Sequence, residues 1–290
     1  STNEDMELDI LLTVKEDPYS SLTKLQSTFH LSKTILWRLL RRNKYYPYKV
    51  QPLQELTEGD GDRRLQFCEE INNFCDEDPN FLSSLLFSDE STFCLNGEVH
   101  RQNCRYWSET NPRWMVETHT QFPQKVNVWA GILGCRVLGP YFFDDTLNGD
   151  RYLEFLREEL IPALAILHLN LQDPNLPNDS IWYQQDGAPP HYAAPARQYL
   201  DEVFPNRWIG RRGFVEWPAR SPDLSPLDYF LWGYLKCKVF ATKPSDINEL
   251  KRRIRTECRK IPAGVIENVK QEFVLRLSHC QIVNGEHLIS

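Results

Sequence analysis

The chain has 290 residues, of which 41% are hydrophobic and 25% charged, the balance of an ordinary globular protein with a substantial core. No apolar run approaches the roughly 18 residues of a membrane span and no charged-then-apolar leader opens the sequence, so a role in a bilayer is not expected. The net charge of −7 argues against a protein that binds polyanions with its whole surface.

Charge is unevenly spread. Leu31 to Val50 holds Lys33, Arg38, Arg41, Arg42, Lys44 and Lys49 and no acid, so a small basic module precedes an acidic body. The eight cysteines contain no CxxC pair, which excludes a zinc ribbon or finger and leaves reduced, mostly buried thiols as the reading.

In chain order, Asp5 to Lys15 is loosely helical and is broken by Asp17-Pro18. A second helix carries Leu22, Leu25 and Phe29. Leu31-Ser32-Lys33 has the form of a helix-turn-helix turn with Ser32 as N-cap. The third helix, Lys33 to Lys44, buries Ile35, Leu36, Leu39 and Leu40 and presents Lys33, Thr34, Arg38, Arg41 and Arg42. That is the layout of a recognition helix, with cations for phosphates, although a solvated basic face has the same pattern. Residues 1–45 form this module, residues 46–62 read as a linker, and 63–290 as the large domain.

In that domain Arg63 to Asp76 is helical. Leu85 to Ser88 is a strand ending at Asp89, and Thr92 to Leu95 a second strand turned by Asn96-Gly97. Val126 to Leu133, Ile181 to Gln184 and Phe214 to Trp217 are further strands; Tyr152 to Leu167, Ala193 to Val203 and Pro226 to Phe240 are helices. Hairpins followed by alternating strands and helices predict an α/β fold: a mixed sheet flanked by helices.

Asp89 and Asp186 stand just past the ends of buried strands, where ligands collect, and Asp228 falls in the first turn of a helix capped by Ser225. Singly, each has a structural explanation. Asp89 can end a strand, Asp186 before Gly187 can make a turn, and Asp228 can complete a capping box with Ser225. Together, carboxylates from separate elements suit a hard cation such as Mg²⁺. Two such ions about 3.5–4 Å apart can serve a phosphodiester displacement.

The motifs Phe87-Ser-Asp89-Glu-Ser-Thr-Phe93, Gln185-Asp186-Gly-Ala-Pro-Pro-His191 and Trp217-Pro-Ala-Arg-Ser-Pro-Asp-Leu-Ser-Pro-Leu-Asp228-Tyr-Phe-Leu-Trp232 resemble those of the mariner branch of the Tc1/mariner transposases. The resemblance covers nearly the whole chain, with the closing segment Ile261 to Ile289 included. It implies an RNase H-like catalytic domain, Asp89, Asp186 and Asp228 as catalytic and metal-holding residues, and two Mg²⁺ ions for which Mn²⁺ can substitute. It also implies double-stranded DNA as partner (inverted-repeat ends and a TA target), a homodimeric synapse, and work in the nucleus. Asp223 is the rival third ligand; the family places the acid after the second proline of the motif, which favours Asp228. Between Asp186 and Asp228 lie 41 residues, the spacing of a longer-spaced subgroup. The extra residues are expected in a loop-rich stretch from Arg197 to Gly213. The family carries two helix-turn-helix units, and the one read here is taken as the second.

Other cations offer further DNA contacts: Arg207, Arg211 and Arg212 between the second and third acids, and Lys251, Arg252 and Arg255 in a basic cluster that equally fits a solvated helix face. His191 is a candidate support for the site or a satisfied structural histidine. The expected function is metal-dependent cutting at element ends followed by strand transfer. The rivals are a domesticated, DNA-binding descendant and an RNase H-like nuclease that does not transpose.

Overall fold

The computed structural model describes residues 4–16, 22–45, 55–95, 124–171 and 181–288. Lys49, the Asn96-Gly97 turn, Trp107 and Trp114 lie outside them. The chain divides into two compact units, Ser1–Pro52 and Leu53–Ser290.

The first unit holds α1 (Glu4–Glu16), α2 (Leu22–Phe29) and α3 (Lys33–Arg42). Ile10, Leu25, Leu36 and Leu39 bury themselves between the helices. At about 1.5–3 kcal/mol per buried aliphatic side chain this is a small core, helped by polar ties. Ser32 has extended backbone and its Oγ accepts the Ile35 N–H at 3.3 Å, so the cap read from sequence is present. Glu7 reaches from α1 to α3, where it pairs with Arg42 and accepts from Asn43 Nδ2 at 2.6 Å. Ile35, placed on the apolar face by periodicity, is instead 43% exposed. Leu36 and Leu39 fill the interface, and a neighbour one residue away points roughly 100° off it.

The second unit starts earlier than Arg63. α4 (Asp60–Glu77) begins inside the stretch read as linker, because Asp60 is anchored there. Its Oδ2 accepts from the Thr57 N–H at 2.7 Å and from Arg220 Nε at 2.6 Å. α5 (Phe81–Ser84) leads into β1 (Leu85–Cys94), which is one continuous strand rather than two. Asp89, Glu90 and Ser91 do not end it, since their backbones stay paired with Ala130, Trp129 and Val128 of β2 (Lys125–Leu133). Asp89 therefore stands mid-strand. β3 (Arg136–Phe143) was not expected from sequence, because Gly139-Pro140 interrupts its pattern. Among the described residues it pairs with β2 alone, and an edge strand tolerates proline.

α6 (Gly149–Phe155) continues through a π-helical turn, Leu156–Leu160, into α7 (Ile161–Leu171). Then follow β4 (Trp182–Gln184), α8 (Ala194–Val203), β5 (Trp208–Gly210) and β6 (Val215–Glu216). The stretch from Arg197 to Gly213, expected to be loop-rich, holds most of α8 and all of β5. Leu200, Trp208 and Ile209 in it are fully buried. A 3₁₀ turn (Pro222–Leu224) and a π turn (Leu227–Leu231) precede α9 (Trp232–Val239), α10 (Ile247–Arg259) and α11 (Ala263–Ile282).

The sheet order is β3-β2-β1-β4-β5-β6; β1, β2 and β3 are antiparallel, while β4, β5 and β6 run parallel to β1. This is the mixed sheet that the element pattern predicts. Side-chain alternation divides the core. Leu85, Phe87, Phe93, Val128 and Ala130 pack with α4, α9, α10 and α11 on one face. Leu86, Trp129, Tyr183 and Trp208 pack with α6, α7 and α8 on the other.

Arg64 of α4 holds the first layer to the chain's last described residues. It is fully buried and spends its donors on Asp223 (2.8 and 2.6 Å), Ser221 Oγ (2.7 Å) and the carbonyls of Gly285 and Glu286.

Candidate active site

Parallel pairing sets Phe87 opposite Gln184. Two residues further along each chain come Asp89, still within β1, and Asp186, just past the end of β4. Asp89 shares parity with Leu85 and Phe87 and so faces the α9 side. The π turn Leu227–Leu231 packs on that side through Leu227 and Leu231 and carries Asp228. Such turns widen a helix locally and recur at functional sites. The Asp228 N–H points to Ser225 Oγ at 3.5 Å, the loose end of the capping arrangement read from sequence.

The three acids sense each other. Burial raises the Asp89 carboxyl well above the usual range, and the charges of Asp228, Glu90 and Asp186 add to it; the Trp232 indole N–H, donating to Asp89 Oδ2 at 2.7 Å, opposes. Burial likewise pushes Asp228 up to about 6, with Asp186 contributing. At Asp186 burial is outweighed. A 2.6 Å hydrogen bond with His191 Nδ1, its charge, and the Ala188 N–H at 2.9 Å hold the carboxyl below its ordinary value.

His191 is buried and bridges two acids, with Nδ1 to Asp186 and Nε2 to Glu90 at 3.2 Å. Desolvation disfavours its charged form, but Glu90 and Asp186 overcome this and raise it to about 10. Glu90 has the opposite parity to Asp89, so it emerges on the α6 side. There Tyr152 packs its ring 4.3 Å from the imidazole and links onward to Tyr183 and Gln185, each at 2.6 Å. His191 is thus a support of Asp186 and a satisfied buried histidine at once. Sequence reading missed Glu90 and Trp232. Strand alternation marks the first; Trp232 gives no local signal and reads as core.

Among the described residues, no three His, Cys, Asp or Glu side chains stand together as a ready cage for a metal ion. Mg²⁺ does not require one, since it is commonly held by one or two carboxylates plus substrate phosphate oxygens. Hard anionic donors that resist ionisation beside one another fit such a cation, which would relieve their repulsion. Asp223, the rival ligand, is committed elsewhere: both its oxygens bind Arg64, and Oδ2 also accepts the Leu288 N–H at 3.0 Å.

The sequence-derived DNA contacts separate by their partners. On α3, Lys33, Thr34, Arg38 and Arg41 are exposed and Arg42 is paired with Glu7; Lys44, past the end of the helix, is exposed too. Arg41 also lies 5.2 Å from the ring of Trp37, an exposed aromatic that the sequence reading overlooked on this face. On α10, Lys251 binds Asp144 at 2.7 Å, Arg252 lies 3.6 Å from Glu249, and Arg255 packs over Phe142. Arg207 donates to the Ile181 carbonyl at 3.1 Å. Arg211 and Arg212 are exposed and converge on Tyr192.

No family model matches the chain. It is 29% identical over 250 residues to the transposase of the transposable element Tc3 from Caenorhabditis elegans, across 84% of this chain and 68% of that one. Its fold matches a pre-cleavage Mos1 transpososome with a TM-score of 0.70 at 18% identity, covering 97% of this chain and 79% of that one. A Mos1 paired-end complex with Mg gives 0.67 at 19% identity with the same coverage. The six-stranded sheet and its helices are the RNase H-like arrangement, preceded by a helical module.

Proposed function

The chain belongs to the Tc1/mariner-type transposases, and on that premise we propose that Asp89, Asp186 and Asp228 hold the divalent metal with which it cuts and joins DNA. It is a cut-and-paste DNA transposase. What supports this reading is the mutual charge effect of three acids carried by β1, the residues after β4 and the turn before α9: Asp186 and Asp228 help raise Asp89, and Asp186 helps raise Asp228. Two Mg²⁺ ions, or Mn²⁺ in their place, would supply Lewis acidity to the attacking and leaving oxygens of the phosphodiester.

The chain's own groups set the geometry. His191 and the Ala188 N–H orient Asp186, and the Trp232 indole orients Asp89. Asp228 rides on the first turn after Ser225. The same constellation serves hydrolysis at an element end and attack by the freed 3′-hydroxyl on a TA target, since both are displacements at phosphorus. The helix-turn-helix module contacts the inverted-repeat ends through Lys33, Thr34, Arg38, Arg41, Arg42, Lys44 and Lys49. Two copies pair the ends in a synapse, as in the Mos1 paired-end complex, and the work is done in the nucleus.

The test is Asp186→Ala with Mg²⁺ and end-containing DNA. Loss of cleavage with retained binding is expected; unchanged cleavage refutes the assigned site.

A further inference from the structure

We infer that Tyr192 and the three arginines around it, Arg197, Arg211 and Arg212, form a seat for a backbone phosphate of the DNA strand entering the catalytic centre. The partner's identity rests on the transposase reading; the seat itself rests on geometry. The guanidinium carbons of Arg211, Arg197 and Arg212 lie 4.2, 4.8 and 5.3 Å from the centre of the Tyr192 ring.

The cluster is built rather than incidental. Arg197 Nε donates to the Tyr192 carbonyl at 3.2 Å, fixing the first arginine to the ring's own backbone. Arg212 has a left-handed backbone, φ 60°, and its N–H donates to Glu216 Oε2 at 2.7 Å. That pinned turn directs two consecutive arginines at one ring. A tyrosine face attracts cations, but it carries no net charge with which to neutralise three of them.

The charges are also unspent. Among the described residues none of the three side chains is ion-paired, whereas Arg64, Arg220 and Arg253 each hold a carboxylate. Guanidinium groups match phosphate oxygens bidentately, and an anion here removes the repulsion among them. Placement names the anion. Tyr192 follows His191, which grips Asp186, and Arg211 directly follows β5, the strand beside β4. A side chain added at Gly187, next to Asp186, would lie 3.5 Å from Arg211 Cβ. The seat therefore borders a centre whose own carboxylates repel DNA. Arg207 reaches the Ile181 carbonyl rather than the Tyr192 ring.

The experiment measures binding of the full chain to a short labelled duplex of arbitrary sequence, without divalent metal, over a series of salt concentrations. For Arg211→Gln/Arg212→Gln we expect affinity near 0.1 M salt to fall roughly tenfold and the log–log salt slope to become shallower by about one to two, as for one or two lost phosphate contacts. Arg211→Lys/Arg212→Lys should keep the slope, and Tyr192→Leu should weaken binding while the fold, followed by circular dichroism, is unchanged. Parental affinity and slope in the glutamine variant overturn the seat. A shallower slope in a chain that cuts no DNA keeps the seat and removes the transposase reading; a parental slope in a variant that still cuts does the reverse.

Discussion

The indole N–H of Trp232 donates to Asp89 Oδ2 at 2.7 Å, joining the first residue of α9 to the middle of β1. The donor is neutral, so it steadies the carboxylate without competing with a cation for charge. Trp232→Phe keeps an aromatic ring near Phe93 and removes only the donor. A hydrogen bond to a charged group contributes about 1.5–3 kcal/mol, so single-turnover nicking should slow by at least tenfold. The urea midpoint should shift far less than that; equal losses in both would make Trp232 a packing residue only.

Asp228 gives a pH signature. Its folded value of about 6 exceeds the roughly 3.9 of an unfolded chain. Between those values the folded protein retains a proton that the unfolded chain releases, so metal-free stability falls as pH rises from about 4 through 6. Asp89 acts with the same sign. Asp228→Asn should melt above the parent at pH 7 and level with it at pH 4. Mg²⁺ at neutral pH should raise the parent's midpoint more than the variant's. A gap that is constant with pH would contradict this.

The Arg64–Asp223 pair predicts the opposite pH behaviour. Burial alone would raise Asp223, but Arg64 and the Leu288 N–H hold it below its ordinary value. Its contribution is therefore present above about pH 3.9 and fades as pH falls through the depressed value. Asp223→Ala leaves a buried guanidinium uncompensated and should cost about 3–5 kcal/mol in urea unfolding. Arg64→Met/Asp223→Leu should recover much of that loss; no recovery would show that the backbone contacts of Arg64 matter more than the pair.

Gly149 opens α6 where a Cβ would come within 2.5 Å of the Ala193 Cβ. Gly149→Ala should destabilise by about 1–3 kcal/mol despite alanine's better helix propensity. It should also slow cleavage, because the displaced segment carries His191 and Tyr192. Parental stability and rate in this variant would mean that the contact relaxes freely.

Much of the site is legible before folding. The motifs around Asp186 and Asp228 mark both acids, and the cap at Ser32 places the start of α3, which ends at Arg42 rather than Lys44. The continuity of β1 is less legible, since the acids at Asp89 and Glu90 break the apolar run. Their backbones pair with β2 whatever their side chains are. β3 is hidden by its own Gly-Pro, which an edge position and the register shift opposite it accommodate. The role of Glu90 requires knowing that His191 lies across the sheet's α6 face, 101 residues away in sequence.

The sequence by itself determined the α/β alternation, the basic helix-turn-helix module and the three candidate acids, because periodicity, capping and motif spacing are local properties. Only the tertiary structure shows that Asp223 is taken up by Arg64 whereas Asp228 is not. Both sit in one motif with similar neighbours, but Arg64, brought in from α4, neutralises the first, while Asp228 remains beside Asp89 with its charge opposed. It likewise separated the arginines paired with carboxylates, such as Arg64, Arg220 and Arg253, from the three gathered around Tyr192. A cation's partner is set by which distant backbone or acid packs against it, and that is a property of the fold.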